Sequence, residues 1–98
     1  HMDDRVHKAQ NYIMNNLENS TSNLDVADSV NMSIRNLTRL FKKTTGTTLG
    51  AYREKIRIER ATELLAEKNT LETVAKACGL KSVYHLRTIM KKHTNRFA

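Results

Sequence analysis

One short pattern occurs twice in this chain, and its two starts lie 48 positions apart. The first copy reads Ser22, Asn23, Leu24, Asp25, Val26, Ala27, then Val30, Asn31, Met32 and Ser33. The second reads Thr70, Leu71, Glu72, Thr73, Val74, Ala75, then Cys78, Gly79 and Leu80, with Ser82 just beyond. Each copy begins with a hydroxyl residue where a helix needs a cap, and Ser22 with Asp25 has capping-box spacing. A Val-Ala pair follows one turn later. Asn31 and Gly79 then stand where a left-handed residue would end the helix. A new helix follows, with Ser33 or Ser82 available to cap it. The pattern therefore predicts two helix-turn-helix units in one small chain.

Composition supports an all-α fold. The chain has 98 residues, no proline and three glycines, and only 5% of it is aromatic. That length suits one domain, or two very small ones sharing a helix. The predicted architecture is two helix-turn-helix subdomains joined by a long linker helix, six or seven helices in all. Net charge is +7, and the positive charge falls in two blocks. Residues 31–60 carry eight basic and two acidic groups, and residues 81–98 carry five basic groups and no acid. The intervening and preceding stretches are mildly acidic. Each basic block opens near the second helix of a repeat, which points to a polyanion surface; a solvated charged face is the plainer alternative.

Other function classes find little support. Cys78 is the single cysteine, so there is no disulfide framework or thiolate metal site, and a small buried core residue is the expected role. His7, His85 and His93 are scattered, and no metal or other cofactor is expected. No nucleophile motif, glycine-rich phosphate loop or carboxylate pair suggests an enzyme. No apolar run approaches the ~20 residues of a membrane span, and no secretory signal is visible. His1 and Met2 have the look of a cloning scar, or of a scar followed by a native start. A cytoplasmic, nucleoid-associated protein is expected.

Along the chain, Val6, Ala9, Ile13 and Leu17 have helical spacing and predict a first helix over residues 4–18. A second runs from the Ser22 cap to about Val30. The first helix-turn-helix unit spans about 22–45, with Leu37, Leu40 and Phe41 as the buried stripe of its second helix and Gly46 just past its end. A linker helix is predicted over about 49–67, with Tyr52, Ile56, Ala61, Leu64 and Leu65 as apolar positions. The second unit spans about 70–93, with Leu86, Ile89 and Met90 facing inward. The whole domain would span residues 3–98.

Such an arrangement suits double-stranded DNA. The major groove admits one α-helix, and base edges there carry a unique donor and acceptor code. A helix-turn-helix places its second helix in that groove. One unit reads only a few base pairs, and two different units on one chain imply an asymmetric site of about two helical turns, bound by a monomer. A linker of roughly 25–30 Å suits major-groove faces ~34 Å apart. The competing reading is a basic helical protein-interaction module that binds an acidic partner; capped helix pairs with tight turns are unnecessary for it.

The segment from Met32 through Ser33, Ile34, Arg35, Asn36, Leu37, Thr38, Arg39, Leu40 and Phe41 to Gly46, continued by Tyr52, Arg57, Ala61, Leu64 and Leu65, resembles the AraC/XylS family of bacterial transcription regulators. Val74, Ala75, Ala77, Cys78 and Gly79 resemble the opening of that family's second unit. Three positions depart from it: Leu80, Leu86 and Met90 stand where the family prefers Phe. Its closing Gly-x-Thr-Pro is replaced by Asn95, Arg96, Phe97 and Ala98. The resemblance implies regulation of transcription, typically as an activator, with RNA polymerase as a second partner. The family usually adds an effector-binding or dimerising domain that does not fit in this chain, so the resemblance implies either the C-terminal part of a larger regulator, which is the expectation, or one of the family's small stand-alone members. Carried over by position, the base-reading residues of the first unit are Arg35, Asn36, Thr38 and Arg39. Those of the second are Val83, Tyr84, His85 and Thr88, with Arg87 beside them. Ser33, Lys42, Lys43, Ser82, Lys91 and Lys92 are expected at phosphates.

Overall fold

The structure is a computed structural model that describes residues 3–94. Asn95, Arg96, Phe97 and Ala98, the altered family tail, lie outside the described residues, as do His1 and Met2. The described residues form six α-helices and no strand. These are α1 (Asp4–Asn15), α2 (Asn23–Ser29), α3 (Ile34–Thr45), α4 (Leu49–Ala66), α5 (Leu71–Ala77) and α6 (Val83–Thr94), with a 3₁₀ turn at Leu17–Asn19.

Local chemistry explains where these helices start. Ser22 Oγ accepts from the Asp25 N–H at 3.1 Å, and the Asp25 carboxylate accepts from the Ser22 N–H at 2.9 Å, completing a capping box. Ser33, Thr48, Thr70 and Ser82 each place a hydroxyl oxygen 3.0–3.2 Å from an N–H three residues on. Side-chain caps of this kind contribute about 1 kcal/mol each.

The ends are as regular. After α2, the Met32 N–H donates to Ala27 O and the Asn31 N–H to Asp28 O. After α5, the Leu80 N–H donates to Ala75 O and the Gly79 N–H to Lys76 O. Asn31 and Gly79 adopt left-handed φ of 56° and 73°. Both repeats thus end their first helix in the same Schellman motif. The end of α4 repeats it again through Lys68 at φ 65° and the Asn69 N–H to Leu64 O.

The chain divides into two compact units. Unit 1 contains α1, α2, α3 and the start of α4. Val6, Ala9 and Ile13 of α1, Val26 and Ala27 of α2, Leu37 and Phe41 of α3, and Leu49 share one buried core. The Phe41 ring meets the half-buried Tyr52 ring edge-on at 5.5 Å, and Arg53 donates to Asn23 Oδ1 at 2.9 Å. Unit 2 comprises residues 17–20 and the chain from Glu54 onward. Ala61, Val74, Ala75, Cys78, Leu80, Leu86, Ile89 and Met90 form its core, and Ile58, Leu64, Leu65 and Leu71 pack against it. Cys78 is fully buried there.

Two core expectations need correcting. Leu17 was expected on the first helix, but α1 stops at Asn15 and Leu17 is buried in the 3₁₀ turn, which belongs to unit 2. Periodicity could not reveal this, because position 17 continues the spacing of Val6, Ala9 and Ile13. Leu40 is half-buried rather than fully enclosed, because only Leu37 and Phe41 face the centre of the core.

Candidate nucleic-acid interface

Because α3 commits Leu37 and Phe41 to the core, its remaining surface is fixed by helical geometry. Arg35, Asn36, Thr38, Arg39, Lys42 and Lys43 are all exposed. No acidic residue occurs on the helix, so its cations have no neutralising partner of their own element. The Ser33 hydroxyl oxygen accepts from the Asn36 N–H at 3.1 Å, and both residues are exposed. Lys42 has a local task as well: its ammonium donates to Gly46 O at 3.1 Å, covering the C-terminal end of the helix. Gly46 itself takes φ 80° and donates its N–H to Lys42 O at 2.8 Å.

The corresponding helix of the second unit, α6, is built alike. Leu86, Ile89 and Met90 point into the unit 2 core, and Tyr84, His85, Arg87, Thr88, Lys91 and Lys92 are exposed. Tyr84 is 80% exposed, an unusual position for an aromatic ring unless something covers it. Val83 is half-buried and Ser82 exposed. The Thr88 hydroxyl donates back to Tyr84 O at 2.9 Å, so it meets other groups as an acceptor. At the far end, His93 Nε2 lies 2.8 Å from Glu54 Oε2 and ties α6 to α4. The site residues thus fall into two sets, one per unit.

Several positions carry roles that the sequence gives little sign of. Lys81 is exposed in the turn immediately before the Ser82 cap, and the count of the second basic block was its one signal. Arg57 belongs to the segment that resembles the AraC/XylS family, and its position alone assigns it no role. Its Nε donates to Cys78 O at 3.1 Å, and the Cys78 thiol approaches Arg57 O at 3.6 Å. Burial pulls the Arg57 guanidinium below the usual arginine range and pushes the Cys78 thiol up. Arg57 is therefore a brace from α4 to the turn between α5 and α6. Ser20 braces the same turn: its hydroxyl donates to Gly79 O at 2.5 Å. Nothing in the sequence links residues 59 positions apart.

No three His, Cys, Asp or Glu side chains converge on a metal-sized site among the described residues. Nor is any helix of those residues long and apolar enough to cross a membrane.

A profile described as a helix-turn-helix domain matches residues 26–97. A solved transcriptional regulator with an AraC-type DNA-binding domain, from Chromobacterium violaceum, superposes with a TM-score of 0.86 at 31% identity, covering 94% of this chain and 83% of that one. The chain belongs to the AraC-type helix-turn-helix family of transcription regulators. The C-terminal domain of AraT, a response regulator from Geobacillus stearothermophilus, reaches a TM-score of 0.90 at 26% identity, covering 96% and 79%. The DNA-binding domain of AdpA, a global transcriptional factor solved with a target DNA, has the same fold, with a TM-score of 0.85 at 23% identity over 93% and 83%. No curated protein sequence matches this one.

Proposed function

We propose that this AraC-type domain binds double-stranded DNA sequence-specifically to regulate transcription, with α3 and α6 each entering a major groove. The observation that carries the reading is the make-up of the outward faces. On both helices they hold several cations and hydrogen-bonding groups and no acid, immediately after a tight capped turn. A basic face supplies affinity by releasing counterions from phosphates, while Arg, Asn, Thr and His at the start of a helix reach base edges.

Roles follow from position. Arg35 and Arg39, four residues apart on one face of α3, suit bidentate pairing with guanine O6 and N7; Asn36 and Thr38 flank them. On α6, Val83 suits a thymine methyl, and Tyr84, His85, Arg87 and Thr88 offer polar and stacking contacts. Ser33, Lys43, Ser82, Lys91 and Lys92 suit phosphates. Lys42 suits one too once its ammonium leaves Gly46 O.

One chain carries both reading helices, so one chain binds one asymmetric site of about two helical turns, and the isolated domain is a monomer. RNA polymerase is the second partner in this reading, and the signal is received by a domain outside these residues. The test is selection from random duplexes, followed by sedimentation of the complex with the selected duplex. The expected result is an asymmetric motif bound by one chain. A requirement for two chains on a palindrome, or no enriched motif, would overturn it.

A further inference from the structure

The turn between α5 and α6 is held by two successive carbonyls, each bound by a remote side chain. Cys78 O accepts from Arg57, and Gly79 O accepts from Ser20. The second contact is unusually close on every side. A Cβ added to Gly79 would lie 2.2 Å from Leu17 O and 2.9 Å from Ser20 Oγ. The 3₁₀ turn is thus packed directly onto the bare backbone of Gly79. Leu17 is buried, and the Ser20 N–H closes the turn on Leu17 O at 3.3 Å. Ser20 sits at φ 52°, a left-handed conformation that serine adopts at a cost. Glycine or asparagine would occupy that backbone more easily, so the feature serine supplies is its short hydroxyl, which fits against Gly79.

The turn so gripped immediately precedes α6. Leu80, at 8% exposure, and Leu86 anchor the two sides of the Lys81 and Ser82 corner. Whatever fixes the Gly79 carbonyl therefore fixes the direction in which Ser82 launches the reading helix. We propose that Ser20 is a positioning residue for the second reading helix: residues 17–20, supplied from the chain between α1 and α2, set the aim of α6 through Gly79. This rests on the reading of α6 as a DNA-reading helix, and it adds that recognition by α6 depends on a residue more than sixty positions upstream.

Two readouts separate the proposal from its premise. The first needs no DNA: amide exchange in the full chain, comparing wild type with Ser20→Ala and Ser20→Gly. Loss of one hydrogen bond should speed exchange of the Leu80 and His85 amides by roughly three- to tenfold and leave the Leu37 and Phe41 amides unchanged. Ser20→Gly decides the cause. If only backbone conformation mattered, glycine would relieve the left-handed cost and slow exchange; if the hydroxyl matters, glycine accelerates it as alanine does. The second readout is a footprint on the selected duplex. Both variants should weaken protection of the half-site under α6 by a similar factor and leave the α3 half-site intact. A general loss of stability would weaken both halves together and overturn the proposal. Unchanged exchange at Leu80 and His85 would also overturn it, as would slower exchange in Ser20→Gly or an unaltered footprint over the α6 half. Failure of the wild-type protein to select any duplex would refute the DNA reading, while the exchange experiment would still judge the brace.

Discussion

Gly46 and Gly79 form a controlled pair for measuring how much the close approach at the second turn contributes. Both have left-handed backbones, at φ 80° and 73°. A Cβ on Gly46 would meet nothing within 4 Å, whereas one on Gly79 would fall 2.2 Å from a backbone oxygen. Gly46→Ala should therefore cost only the left-handed backbone term, about 1–2 kcal/mol. Gly79→Ala carries the same term and must also push the 3₁₀ turn away. That displacement breaks the hydrogen bond from Ser20, about 1 kcal/mol net. It also exposes part of the Leu17 side chain, about 1–2 kcal/mol. The expected difference between the two variants is about 2–3 kcal/mol. At roughly 4–8 °C per kcal/mol for a domain of this size, Gly79→Ala should melt at least 8 °C below Gly46→Ala. Thermal unfolding by circular dichroism gives the total, and amide exchange at Val74 and Leu86 assigns the loss to unit 2. Equal melting temperatures would refute the argument that the 3₁₀ turn is packed rigidly on Gly79.

Arg35→Ala and Arg39→Ala should each lose about 1–3 kcal/mol of binding and relax selectivity at one base pair if the arginine grips guanine; a uniform loss on all sequences would assign it to phosphate. If the two basic blocks neutralise roughly six phosphates, log K against log salt should slope near −5, and a flat response would refute the electrostatic component. Burial holds the Cys78 thiol above its ordinary pKa, so as pH rises the unfolded chain loses this proton first. The resulting stability is fully present below the ordinary thiol pKa and declines above it. Urea midpoints from neutral to alkaline pH should therefore fall more steeply in the wild type than in Cys78→Ala, and parallel curves would contradict this.

Much of the fold was legible because its determinants are local. The caps at Ser22, Ser33, Thr70 and Ser82, and the left-handed ends at Asn31, Gly46 and Gly79, are decided within a few residues. A repeated pattern makes such features visible twice. Leu17 shows where this reasoning stops: helical spacing places it on α1, yet its burial is in another unit, a fact set by long-range packing. Ser20 and Arg57 were opaque for the same reason, since their partners lie 59 and 21 positions away. Outward faces of α3 and α6 followed from assigning their buried stripes, while the half-burial of Leu40 and Val83 depended on how neighbouring helices pack. Lys42 was legible as a surface cation, but its bond to Gly46 O required the left-handed turn to be in place.

Sequence-specific reading by two unequal helices predicts a distinct outcome for one titration. The protein is titrated, at one fixed salt concentration, against the selected duplex and against versions with the α3 half, the α6 half or both halves scrambled. The α3 unit has two arginines on its reading face and Phe41 locked against Tyr52. The α6 unit has one arginine and the apolar Val83 among its proposed reading positions, so it offers fewer groups that discriminate bases. The selected duplex should be preferred over the fully scrambled one by ~10³ or more. Scrambling the α3 half should remove most of that preference, and scrambling the α6 half much less. Equal affinity for all four duplexes would contradict sequence-specific reading, and the reverse ranking of the halves would contradict the assignment of discrimination to α3.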